Sequence, residues 1–247
     1  MTVARPPPRH LSLLSTLLLA LAGSAGYVDA VGYLAFEQIF VANMTGNSVL
    51  LGIAAVEGHT DATLRSVLAL AGFIVGAALG TTLTDARQTQ GLWPALVTVA
   101  LAIEGAVLMA VAISWALLPH GTVATLSVFI VGTAIAMGLQ SAAARKLAVP
   151  GVSTVVLTGT LTSLVARAVA HVRHRKWTDP APKDPTKGPA ILFGVWAAYV
   201  VGAGLGAWFT HMHPRVVIVP PAALVSLVAL AALRTFHRLE GNGHAGR

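Results

Sequence analysis

Apolar stretches long enough to cross a hydrocarbon core recur along this chain, and they leave it few ways to fold. A helix needs about 20 consecutive apolar residues to span a bilayer. In lipid every backbone N–H and C=O must be paired internally, so only helices and closed barrels can cross. Barrel strands alternate apolar and polar residues. Here the apolar runs are continuous, so the expectation is an all-α, polytopic transmembrane bundle. The charged content agrees: it is 10%, where a soluble domain carries roughly a quarter. The mean hydropathy is +0.76.

Eight apolar segments can be drawn, at residues 11–35, 39–56, 64–83, 92–118, 122–144, 152–165, 190–209 and 216–233. Arg5, Arg9 and the apolar run after them resemble a signal peptide, with Gly23-Ser24-Ala25 resembling a cleavage site. The run continues to Ala35, however, so a retained first helix is expected. Residues 167–188 read as a solvated, cytoplasmic linker. They are basic (Arg167, Arg173, Arg175, Lys176, Lys183, Lys187) and carry Pro180, Pro182 and Pro185. The polar, glycine-rich tail after Leu239 reads as disordered.

The segments fall into two related halves, residues 11–118 and 122–235. Gly26-Tyr27-Val28-Asp29-Ala30 is echoed by Gly138-Leu139-Gln140-Ser141-Ala142, an offset of 112. Met44-Thr45-Gly46-Asn47 is echoed by Leu157-Thr158-Gly159-Thr160, an offset of 113. Val75-Gly76-Ala77-Ala78-Leu79-Gly80 recurs as Val201-Gly202-Ala203-Gly204-Leu205-Gly206, an offset of 126. The jump falls across the linker, as an insertion there would produce. Segments one to three therefore pair with five to seven; the fourth pair, with eight, shows no clear similarity. Internal repeats with glycine-interrupted segments in matching places are a mark of small transporters.

Segments two and six are the shortest and most polar. Non-helical backbone is tolerated at membrane depth only where protein or water covers it. We expect six full spans plus two broken or re-entrant segments; the alternative is eight full spans. With the N-terminus and linker cytoplasmic, eight crossings put Arg145 and Lys146 outside, whereas six keep them inside and move Glu57 and Asp61 out. Both counts place the two termini in the cytoplasm.

Several polar residues in these segments are candidates for a substrate or proton pathway. Asp29 lies deep in segment one and Glu104 near the centre of segment four. A carboxyl in hydrocarbon is costly and marks an ion, proton or substrate path by default. Its bland reading is an interfacial cap for Asp29, and for Glu104 a protonated structural acid bonded to a neighbouring helix. Gln140 and Arg145 are possible partners of Glu104. Arg145 and Lys146 also read as interface anchors that snorkel to the headgroups. Ser141 stands beside Gln140. Asn43, Thr45, Gly46 and Asn47, with Thr158, Gly159 and Thr160, offer hydroxyls, amides and flexible backbone. If Thr45 and Thr158 begin half-helices, they could cap them and leave N–H groups for an anionic or polar solute. Their bland reading is close helix packing. Gly72, Gly76 and Gly80, echoed by Gly194, Gly202 and Gly206, place small residues on one helix face. They read as packing positions, either between the halves or in a homodimer seam.

Other chemistries find little support. The net charge of +7 sits in connections and tails, where the positive-inside rule puts it, so nucleic acid is not an expected partner. There is no cysteine. The histidines lie in tails or at segment ends, and His211-Met212-His213 lacks carboxylate or cysteine support for a metal. No phosphate loop, zinc-protease helix or nucleophile elbow is present. Neither catalytic residues nor a cofactor is expected, and the chain does not read as an enzyme.

At these residues the chain resembles the YoaK-like family of bacterial membrane proteins, a domain of unknown function. The resemblance rests on Gly26-x-x-Asp29-Ala30, on Phe40-x-Ala42-x-Met44-Thr45-Gly46-Asn47, and on Gly138-x-Gln140-x-Ala142 followed by Arg145 and Thr158-Gly159-Thr160-Leu161. It covers nearly the whole chain. Ser141 departs from the asparagine of the family pattern. The resemblance implies a multi-pass protein of the bacterial cytoplasmic membrane and supplies no substrate.

Two functions remain open. One is a small-solute transporter, with Asp29 and Glu104 as candidate proton carriers. The other is a non-transporting membrane scaffold or partner-binding subunit, whose basic linker holds anionic lipid or a cytoplasmic partner.

Overall fold

In the computed structural model the described residues are 8–86, 93–119, 122–147, 157–174 and 189–237. They form helices α1 (Pro8–Ala35), α2 (Met44–Glu57), α3 (Thr60–Asp85), α4 (Ala95–Leu117), α5 (Val123–Lys146), α6 (Leu157–His174), α7 (Pro189–Met212) and α8 (Val219–Ala232). A 3-10 turn (Pro214–Val216) leads into α8 and a π turn (Leu233–His237) follows it. Six stretches are long and apolar enough to cross a membrane: those of α1, α3, α4, α5 and α7, and Pro214–Phe236, which contains α8. The shorter α2 and α6 are not among them. This matches six spans plus two shorter segments.

The six long helices alternate in direction, as contacts at the two ends of the bundle show. At one end Phe36, just after α1, packs on Trp115 near the end of α4 and on Phe129 near the start of α5. Trp115 donates its indole N–H to Pro214 O, just after α7, at 2.7 Å. Arg65 near the start of α3 pairs with Glu37 at 2.6 Å. At the opposite end Lys146 of α5 meets Asp85 of α3 at 2.6 Å. There Trp93, just before α4, stacks on Phe236, just after α8.

Two parallel helix pairs form the centre. α1 lies along α7, and α3 lies along α5. Glycines make both contacts possible. A methyl at Gly26 would overlap the backbone of Tyr199, and one at Gly202 the backbone of Gly23. In the other pair, Gly138 stands on Phe73 and Ala77, and Gly76 on Ile135. Without a hydrophobic drive between helices in lipid, close backbone packing at small residues is a main source of association. Gly72 and Gly80 also face α5, and Gly206 faces α1. These small-residue stripes lie between segments of the two halves of one chain. α4 packs between α5 and α8, and α8 reaches α1.

One boundary differs from expectation. The linker was expected from residue 167, but α6 continues to His174. Proline begins only at Pro180, so no residue between 167 and 174 breaks the helix. The rest of the linker, 175–188, and the tail after residue 237 lie outside the described residues, as does the N-terminus before residue 8.

Candidate functional site

The chain leaves α1 at Ala35 and turns sharply at Glu37 and Gln38, which have φ of 57° and 65°. It then folds back along α1. Residues 41–43 return to the level of Asp29, six residues or about 9 Å inside the helix end. There Asp29 Oδ1 accepts from the backbone N–H of Val41 at 2.8 Å, Ala42 at 2.7 Å and Asn43 at 3.3 Å. Its Oδ2 accepts from the Tyr199 hydroxyl of α7. Asp29 is 2% exposed. It therefore joins three things: α1, the returning segment and α7. Buried N–H groups need acceptors, and this carboxylate supplies one for three of them at once.

Asn47 does the same one turn further on. Its side chain is fully buried and makes a two-point contact with Phe40. Oδ1 accepts from Phe40 N at 2.9 Å, and Nδ2 donates to Phe40 O. Gly46 is tight because a Cβ there would press on the Phe40 ring at 2.8 Å. Asn43 caps α2, its Oδ1 accepting from Gly46 N at 3.2 Å. α2 then runs back to the end it came from, where Gly58 closes it in the left-handed region at φ 73°. The segment is re-entrant: it starts beside Asp29 and ends beside Glu57, His59 and Arg65.

The cap was expected at Thr45; it is Asn43, because the helix starts two residues earlier than a Thr45 cap would set it, and Thr45 is exposed. Asn43→Ala is expected to cost about 1 kcal/mol and Thr45→Ala close to nothing, read as thermal unfolding in detergent. Equal losses at the two positions would refute this assignment.

The second half is built differently. Ser141 and Phe73 stand where the offsets would place partners of Asp29 and Tyr199, so no carboxylate–phenol bond forms there. Gln140 is fully buried and donates Nε2–H to Leu21 O at 3.1 Å. Thr160 is fully buried and Gly159 is exposed. The Thr158 side chain lies outside the described residues. Arg145 does not reach Glu104; it donates to Thr81 Oγ1 at 3.0 Å at the Asp85 end. Glu104 is 0% exposed in the middle of α4, and neither carboxyl oxygen has a hydrogen-bond partner among the described residues. No group of three or more His, Cys, Asp or Glu that could hold a metal occurs among the described residues. Tyr199 was not anticipated from sequence; a tyrosine three residues before Gly202, inside an apolar segment, was the available signal. Phe40 opens the family pattern, but its role as the partner of Asn47 was not anticipated.

The Met-Thr-Gly-Asn block and its carboxylate thus form one structural unit. The family described as a protein of unknown function, DUF1275, matches residues 17–231. The chain belongs to this family. It is a multi-pass membrane protein, and it is 41% identical over 151 residues to the UPF0700 transmembrane protein YoaK of Bacillus subtilis (strain 168). The match covers 61% of this chain and 65% of that relative, so just under two thirds of the relative's length is spanned. No solved structure matches the chain.

Proposed function

We propose that this protein is a small-solute transporter of the bacterial cytoplasmic membrane, built from two inverted halves. One observation carries the reading: the helix contacts obey the sequence offsets. Gly26 on Tyr199 becomes Gly138 on Phe73, and Gly202 on Gly23 becomes Gly76 on Ile135, when each residue is moved by 112 or 126. α1 and α5 run in opposite directions, so the operation relating the halves turns one over in the membrane. Each half lends its third segment to the first segment of the other. Such interlocked, inverted halves can rock between two arrangements of similar packing, which is the basis of alternating access.

The ends of the bundle support the orientation. Arg145, Lys146 and Arg234 lie at one end, where α7 also begins after the basic connection, whereas Arg65 and Arg215 lie at the other. By the positive-inside rule the first end is cytoplasmic, which puts both termini there. The re-entrant α2 then opens to the outside.

Of the two buried carboxyls, Asp29 has its oxygens filled by four donors, whereas Glu104 is unpartnered. Proton coupling is accordingly assigned to Glu104, with Asp29 holding the re-entrant segment. The scaffold alternative rests largely on basic residues beyond His174, outside the described residues.

The test is a thermal-unfolding screen of the purified chain against a solute library, followed by uptake of the stabilising solutes into reconstituted vesicles. A ligand of the native state raises its apparent stability. The reading expects at least one solute class to stabilise the protein and enter vesicles. Stabilisation without uptake would favour the scaffold, and neither effect across the library would overturn the transporter.

A further inference from the structure

The register between α4 and α5 brings two unsatisfied buried groups to the same depth of the bundle. Trp115 of α4 meets Phe129 of α5 edge-on, with ring centroids 4.9 Å apart. One turn along, Val111 touches Gly132. The helices are antiparallel, so each step back on α4 is a step forward on α5. Eleven residues before Trp115 is Glu104, and eleven after Phe129 is Gln140. Eleven residues are close to three full turns, so both side chains return to the facing stripe. Both are 0% exposed.

The chemistry of this pair is lopsided. Gln140 Nε2 is committed to Leu21 O. That bond fixes the amide orientation, because the flipped amide would set two acceptors against each other. Gln140 Oε1 and both oxygens of Glu104 then remain without partners among the described residues. All three are acceptors. Protonating Glu104 supplies one donor and still leaves acceptors unmet, which is costly away from water. The basic residue next along α5, Arg145, is turned to Thr81.

We propose that Glu104 and Gln140 form a binding site for one monovalent cation at mid-depth of the bundle. An ion with hard-oxygen preference satisfies all three oxygens together. A single positive charge matches the single carboxylate, whereas a divalent ion would leave a net charge buried. Binding itself does not depend on transport. Proton and alkali ion compete for the one carboxyl, so if they exchange there during the cycle the proposal deepens the transporter reading and rests on it.

The experiment uses the full chain in detergent. Thermal unfolding is followed in sodium, potassium, lithium and choline chloride at equal ionic strength. In parallel, infrared difference spectra are taken with carbon-13 placed in the glutamate carboxyls, on exchange of choline for each alkali ion. One alkali ion is expected to raise the melting temperature saturably over choline. It is also expected to replace any labelled carboxylic-acid band with carboxylate bands. Glu104→Gln should abolish the ion-specific rise, and Gln140→Leu should shift its midpoint to higher ion concentration.

No ion-specific rise, together with a labelled acid band that persists in every salt, would make Glu104 a permanently protonated structural acid and overturn the site. Equal rises in all salts would overturn it as well. Should Glu104→Gln fail to fold, the labelled wild-type spectra decide alone. An absent ion effect with solute stabilisation retained would remove the site and leave the transporter reading standing.

Discussion

Gly202→Ala and Gly76→Ala are each expected to unseat a central helix pair. The added methyl at Gly202 meets the Gly23 carbonyl, and the one at Gly76 meets that of Ile135. A flexible side chain could rotate away, but backbone cannot, so whole helices must separate. Overpacking in a well-packed core costs typically about 1–3 kcal/mol; rigid backbone on both sides puts these two at or above the upper end. Separation would also loosen every neighbouring contact of α1 on α7 or of α3 on α5. The contrast lies at two glycines without such a neighbour. Gly204 has open space where its Cβ would stand, as does Gly52 on α2. There alanine is expected to stabilise by a few tenths to about 1 kcal/mol, since glycine in a helix interior is the costlier residue. Thermal unfolding of the four variants in one detergent tests both signs. A wild-type melting temperature for Gly202→Ala would show that the two helices do not pack as described.

Asp29→Ala is expected to release the re-entrant segment, and Asp29→Asn to keep it. Alanine leaves the N–H groups of Val41, Ala42 and Asn43 without their shared acceptor. A buried group left unsatisfied costs about 1–3 kcal/mol, so a loss of about 3 kcal/mol or more is expected even if water relieves part of it. Asparagine keeps an oxygen for the three N–H groups, and its amide can donate to the Tyr199 hydroxyl in place of accepting from it. Its loss should stay below about 1.5 kcal/mol. Hydrogen exchange at residues 41–47 would localise the effect, with fast exchange confined to the alanine variant. If both variants exchange alike, the carboxylate does not hold the segment. In vesicles, pH-dependent uptake should survive Asp29→Asn and vanish with Glu104→Gln; the reverse result would return the proton role to Asp29.

The two glycine contacts show why so much of this fold was legible beforehand. A stripe of small residues at four-residue spacing states that something comes close to that helix face, and Gly76 and Gly202 were identified from that alone. Which helix comes close is not written locally: α7 answers α1 across more than 160 positions, and α3 answers α5. Asp29 teaches the same lesson. Its place inside an apolar helix marked it as a residue needing partners, but its donors come from a return loop and from Tyr199, 170 residues away. Thr45 was misread as a cap because the choice between Asn43 and Thr45 depends on where the returning segment stops being pinned to α1.

Hydropathy, helix count, the short polar segments and the packing faces were determined by the sequence itself, because helical periodicity and the absence of water in the bilayer act on neighbouring residues. The filling of Asp29, the two-point hold of Asn47 on Phe40, the turning of Arg145 to Thr81 and the common depth of Glu104 and Gln140 were decided only by tertiary structure. Each depends on the relative register of helices far apart in the chain, and register is set by the summed packing of whole faces, which no single motif encodes.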